Sequence, residues 1–171
     1  MTSTSELLVD GFGRVHETVH AVMAGLPVDA VTFRPGPEAN PIGWLVWHLT
    51  RVQDDHVAGV AGTEQRWTAE GWDARFALPF DRLETGYGQD AADAGTVVAE
   101  PALLLGYHDA VHSTTLAYAR GLSDTDLDRV VDTRWDPPVT LGVRLVSVLA
   151  DDLEHVGQAA YVRGLFEHRG G

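Results

Sequence analysis

The chain has 171 residues, 44% hydrophobic and 22% charged, a balance that suits one globular domain (1–171) able to bury its own core. A formal charge of −13 argues against a nucleic-acid or anionic-membrane surface, because phosphate binding needs clustered Lys and Arg. Cysteine is absent, which excludes disulfides, zinc–thiolate sites and a cysteine nucleophile, and makes a reducing cytoplasm the expected compartment.

Four segments carry helical periodicity. The first, from about Ser5 to Ala24, places Leu8, Phe12, Val15, Val19, Val22 and Leu26 on one stripe and stops at Gly25-Leu26-Pro27. The stretch "MTSTSELLVDGFGRV" has no basic region followed by an apolar one, so no signal peptide is expected. The second helix is expected to start at an Asn40 N-cap with Pro41 in the first helical position, and to carry Ile42, Leu45, Leu49, Val52, His56 and Val60 as far as Gly62. Roughly forty residues then intervene, rich in Gly, Ala, Asp and aromatics, long enough to suggest a functional segment folded over the helices. A third helix runs from about Pro101 to Arg120. "VVDTRWDPPVT" reads as a short extended piece, and a fourth helix runs from near Thr140 to Phe166 through Leu141, Leu145, Val148, His155, Ala159 and Val162. The expected fold is all-α, a four-helix bundle with a long crossover loop between helices two and three. No run approaches the ~18 apolar residues of a membrane span.

Bundles hold metals on inward-facing His and carboxylates three or four residues apart on one helix. Three pairs meet that rule: His16/His20, His108/His112 and Asp151/His155. The first lies in "HETVH", which satisfies the H-E-x-x-H signature of zinc peptidases, with Glu17 in the place of the general base. Its context is poor: no upstream sheet offers a substrate edge, and no third ligand stands at a familiar spacing. Both histidines flank the apolar stripe and are expected to border the bundle. His108 and His112 read as boundary or pocket histidines. Asp151, Asp152 and His155 differ because they interrupt the fourth helix's apolar stripe, as His48 does on the second. A buried carboxylate needs a partner. A divalent metal on two imidazoles and a carboxylate, or a metal-free His–Asp pair, would each supply one, and periodicity does not choose between them.

"NPIGWLVWHLTRVQDDH" resembles the second-helix signature of the DinB-like superfamily. "LADDLEHVGQAAYVRGL" is similar to its fourth-helix signature, including the H-x-G-Q step from His155 to Gln158. The resemblance implies a metal held by one helix-two His and two helix-four residues four apart: His48, Asp151 and His155. Most members have His-x3-His on helix four. The mycothiol-dependent maleylpyruvate isomerase branch has Glu-x3-His, and this chain departs from both with Asp, leaving Asp151 and Asp152 as alternatives. The resemblance further implies a Zn- or Ni-type divalent metal and a thiol-dependent S-transferase or isomerase using a low-molecular-weight thiol such as mycothiol. Gln158 would be a pocket or cofactor-binding residue beside His155. The expected partners are a small-molecule substrate, with no nucleic acid and no membrane, and a homodimer is one expected assembly. The rival expectation is a metal-free helical module for binding or dimerisation.

Overall fold

The computed structural model describes residues 3–169. Among them the protein is predominantly helical, with four long helices, several short ones and one two-stranded sheet.

Helix α1 (Thr4–Met23) begins in a capping box: the Ser3 hydroxyl accepts from the Glu6 amide, and the Glu6 carboxylate accepts from the Ser3 amide. Its expected stripe is buried throughout, from Leu8 to Val22. A short turn of helix, α2 (Val28–Val31), leads to α3 (Ile42–Ala61). Here the start differs from expectation. Pro41, extended at φ −74°, takes the N-cap position, and no side chain caps the helix, so Asn40 does not play that part. Gly62 ends α3 in the left-handed region, at φ 69°, where a side chain would be strained.

The connection from 62 to 100 is partly structured. It carries the short helices α4 (Arg66–Ala69), α5 (Trp72–Phe76) and α6 (Ala91–Ala94), and it buries Trp67, Trp72, Phe76, Val97 and Ala99. Burying each large side chain stabilises by roughly 1.5–3 kcal/mol, enough to hold such a segment on the helices beneath it. Helix α7 (Pro101–Arg120) starts with proline in its first turn. A 3-10 turn follows at Asp124–Asp128, and then β1 (Val130–Asp132) pairs antiparallel with β2 (Val139–Thr140), the extended piece expected before the last helix. The Thr140 hydroxyl caps α8 (Leu141–Glu167) by accepting from the Val143 amide.

The long helices pack in a ring: α3 against α7 and α8, and α1 against α7 and α8. The α3–α8 seam therefore lies opposite the α1–α7 seam. Because α3 is covered on most sides, every residue from Ile42 to Arg51 is buried, and its later core positions are Arg51, Gln53, Asp54, Val57 and Ala58, while Val52, His56 and Val60 are only partly covered. Arg51 is fully buried. Its guanidinium donates to Gln65 Oε1 (2.9 Å), the Tyr107 hydroxyl (3.2 Å) and the main-chain oxygens of Glu84 (3.1 Å) and Leu83 (3.3 Å). Asp54 sits 3.7 Å from it and accepts from the amides of Arg66 and Trp67 and from the Tyr107 hydroxyl. A buried charge satisfied this fully clamps the long connection to α3 and α7. No described helix is long and apolar enough to cross a membrane.

Candidate metal centre

His48 enters the α3–α8 seam from α3, only 5% exposed. Its Nδ1–H donates to the Thr85 carbonyl at 2.6 Å. Thr85 reaches the ring because the next residue is Gly86, at φ 92°. A Cβ there would stand 2.7 Å from His48 Nδ1 and 3.0 Å from Trp47. Trp44 stacks on the imidazole, centroids 4.4 Å apart and planes 11° apart, and is itself fixed by its indole N–H on Gln89 Oε1 at 2.8 Å. The imidazole is thus held along one edge and one face.

Across the seam, α8 brings Asp151 and His155. The His155 Nδ1–H donates to the main-chain oxygen of Asp151 at 2.8 Å, and the two imidazole centroids lie 4.7 Å apart. Carbonyl acceptors fix both rings as Nδ1–H tautomers, so each neutral ring keeps its lone pair on Nε2. Burial, and then the nearby His155, hold His48 below the ordinary histidine range, which favours that neutral form. One ligand atom from each of His48, Asp151 and His155 lies within 4.8 Å of the others. Asp151 Oδ2 is buried and has no hydrogen-bond partner, a costly position for a carboxylate oxygen unless a cation faces it. Two fixed imidazoles and an unsatisfied carboxylate oxygen are a donor set that could hold a divalent metal ion.

Asp152, about 100° further round the helix, points into the core. It is wholly buried, and the apolar stripe of α8 runs through it, from Val148 to Val156. Burial, then the neighbouring Asp151 charge, push its carboxyl far above the usual carboxylate range. Asp151 is the aspartate grouped with His48. Gln158 lies one turn past His155 on the exposed side of α8, and Tyr161, one turn further, is 68% exposed.

The sequence matches the DinB superfamily over residues 12–159. The chain belongs to that superfamily. A crystal structure of a conserved protein from Enterococcus faecalis is similar to it with a TM-score of 0.90 and 31% identity, covering 96% of this chain and 98% of that one. No functionally curated protein matches the sequence.

In this DinB-superfamily chain a cleft of about 540 Å³ opens beside His48 and Asp151. Val52, Val148 and His56 line its walls, and Thr85, Tyr87 and Trp135 reach it from the two connecting segments. Tyr87 and Trp135 are 89% and 64% exposed, so they form an open aromatic rim. Sequence reasoning missed Thr85, Gly86 and Tyr87. The signal available was "GYG", an aromatic between two glycines, both of which take positive φ.

The histidines of "HETVH" border the helices as expected: His16 is half-buried and His20 exposed. Among the described residues no sheet edge lies there, since the β1–β2 hairpin packs at α8, so the substrate edge of a peptidase is missing. The α7 pair departs from the boundary expectation. His108 is fully buried and His112 nearly so, because α7 turns this face toward α1 and α3.

Proposed function

We propose that this protein is a divalent-metal-dependent enzyme of the DinB superfamily, its ion held by His48, Asp151 and His155. The proposed scaffold is one four-helix bundle, with the 62–100 connection as its crossover. The observation that carries this reading is the buried, partnerless Oδ2 of Asp151 beside two imidazoles whose tautomers direct Nε2 away from their carbonyl partners. A divalent ion bound there supplies Lewis acidity, lowering the pKa of a thiol or water that reaches an open position.

The proposed reaction class is S-transfer or isomerisation using a low-molecular-weight thiol of the mycothiol type. A chain without cysteine is compatible with a nucleophile that arrives on such a cofactor. The protein's own part is positional. Thr85 and Trp44 hold His48, the Asp151 carbonyl holds His155, and a cleft lined by Val52 and Val148, by the polar Asp55, His56 and Arg134, and by the aromatic rim bounds the space for a small organic substrate. Gln158 is proposed to meet the thiol at the outer end of the site. A homodimer is proposed through the exposed apolar stripe of α8, Val143, Val146, Leu153 and Tyr161, and Leu153→Glu should then halve the mass measured by light scattering.

The test is metal content after purification without chelator, in the wild type and in His48→Ala and His155→Ala, followed by conjugation of an electrophile in the presence of mycothiol. Bound metal in the wild type, lost in both variants, supports the reading; equal, near-zero metal in all three overturns it. The rival is a metal-free binding module in which the Asp151 carboxylate, 3.5 Å from His155 Nδ1, is satisfied by that histidine alone. It requires a melting temperature indifferent to chelator.

A further inference from the structure

The α1–α7 seam gathers four histidines and one aspartate that the centre on the α3–α8 seam does not use. His16 and His20 stand one turn apart on α1, and Asp109 reaches them from α7. A donor atom from each of the three lies within 4.8 Å of the others. Asp109 Oδ1 is 2.7 Å from His20 Nε2 but 3.6 Å from His16 Nδ1, beyond a good hydrogen bond. His16 Nδ1 is buried and without a partner, so the carboxylate satisfies one imidazole and strands the other. We propose that His16, His20 and Asp109 form a second divalent-metal site, for a borderline ion such as Zn²⁺, Ni²⁺ or Co²⁺, which would join α1 to α7.

The surroundings suit that role. The His112 ring lies flat on His16, centroids 4.1 Å apart and planes 1° apart, and fixes the His16 plane from behind. Two imidazoles stacked this closely oppose protonation of both at once, and an unprotonated ring nitrogen carries the lone pair a metal needs. His20 and Asp109 are close to half exposed, which gives an ion a route in. Two imidazoles and one carboxylate match the ligand preference of borderline ions, and three protein donors leave positions for water. The place is separate from the His48 centre because it lies on the opposite seam of the helix ring. It also supplies the third donor that "HETVH" lacked in sequence, from a residue 89 positions away.

The test loads chelator-stripped protein with Zn²⁺ by equilibrium dialysis and counts bound zinc in the wild type, His20→Ala, Asp109→Asn and His155→Ala, with Co²⁺ absorption spectra as a second readout. His20 and Asp109 are close to half exposed, and circular dichroism is recorded alongside to check that the variants fold. The expected result is roughly two equivalents in the wild type, with one lost in His20→Ala, one lost in Asp109→Asn, and a different one lost in His155→Ala. Zinc stoichiometry and cobalt spectra unchanged by both His20→Ala and Asp109→Asn would overturn the second site. A single wild-type equivalent sensitive to His155→Ala alone overturns it and leaves the first centre standing. A single equivalent sensitive to His20→Ala and Asp109→Asn alone supports it while the first centre fails.

Discussion

His155 gives its Nδ1 proton to the main-chain oxygen of Asp151, at 2.8 Å, and not to the carboxylate of the same residue, whose nearer oxygen lies at 3.5 Å. The helix backbone thereby orients the imidazole, and the carboxylate keeps an oxygen free for a cation. Asp151→Asn should retain the fold and the His155 orientation but weaken metal affinity by at least about tenfold, since it removes an anionic donor while conserving shape. Asp152→Asn should leave metal content at the wild-type level. Zinc titration with a competing chelator reads both, and equal loss in the two variants would contradict the assignment.

Gly86→Ala tests how the connection approaches His48. The new methyl would meet His48 Nδ1 at 2.7 Å on a backbone at φ 92°, so both strain and a clash oppose it. We expect a stability loss of about 1–3 kcal/mol in chemical denaturation, together with reduced metal affinity. Gly59→Ala, in α3 with open space around the added carbon, serves as the control and should stabilise slightly or change nothing. Indistinguishable behaviour of the two variants would remove Gly86 from the account.

Arg51→Met should cut the clamp on the connection. The substitution leaves Asp54 buried beside Tyr107 without its cation, a loss of roughly 3–5 kcal/mol for a broken buried pair. Proteolysis should then cleave first near Leu83 and Glu84, whose carbonyls Arg51 binds in the wild type. Cleavage confined to other sites would show that the apolar contacts of Trp67 and Trp72 suffice to hold the segment.

Stability should fall with acid through the α7 histidines. His108 donates from Nδ1 to the Thr50 hydroxyl at 3.1 Å, that hydroxyl being donated to the Val46 carbonyl, while its buried Nε2 has no partner. Burial holds His108 well below 6.5, and burial with His16 takes His112 to about 4. Between the unfolded value near 6.5 and these lower folded values, the unfolded chain binds more protons, so stability is complete above that window and is lost as pH falls through it. Urea midpoints measured in chelator from pH 7 to pH 4 should decline, and His112→Asn should flatten the slope. The raised carboxyl of Asp152 contributes in the opposite sense over the same range, so the decisive reading is the slope: one left unchanged by His112→Asn would count against neutral burial.

Much of the helical layout was legible because α1, α7 and α8 each bury one face, and one-sided burial writes a 3.6-residue period into the sequence. Helix α3 was harder. It touches two long helices and the connection, so its core positions include Arg51, Gln53 and Asp54, which no apolar pattern announces. Asp151, Asp152 and His155 were legible as polar residues interrupting an apolar stripe, but which aspartate joins His48 was not, since that depends on rotation of α8, which puts Asp152 in the stripe itself. Asp109 was illegible as a partner of His16 and His20, since pairing across helices depends on rotation about each axis and not on spacing along the chain.

Gly86 has a consequence for how this scaffold could diversify. The turn it permits delivers Thr85 to the imidazole of His48 and sets Tyr87 at the mouth of the cleft. The hydrogen bond on His48 and the shape of the cleft entrance are therefore written into three adjacent residues. An exchange in this loop changes what enters and how the centre responds to it in one step, while the helices that carry His48, Asp151 and His155 stay as they are.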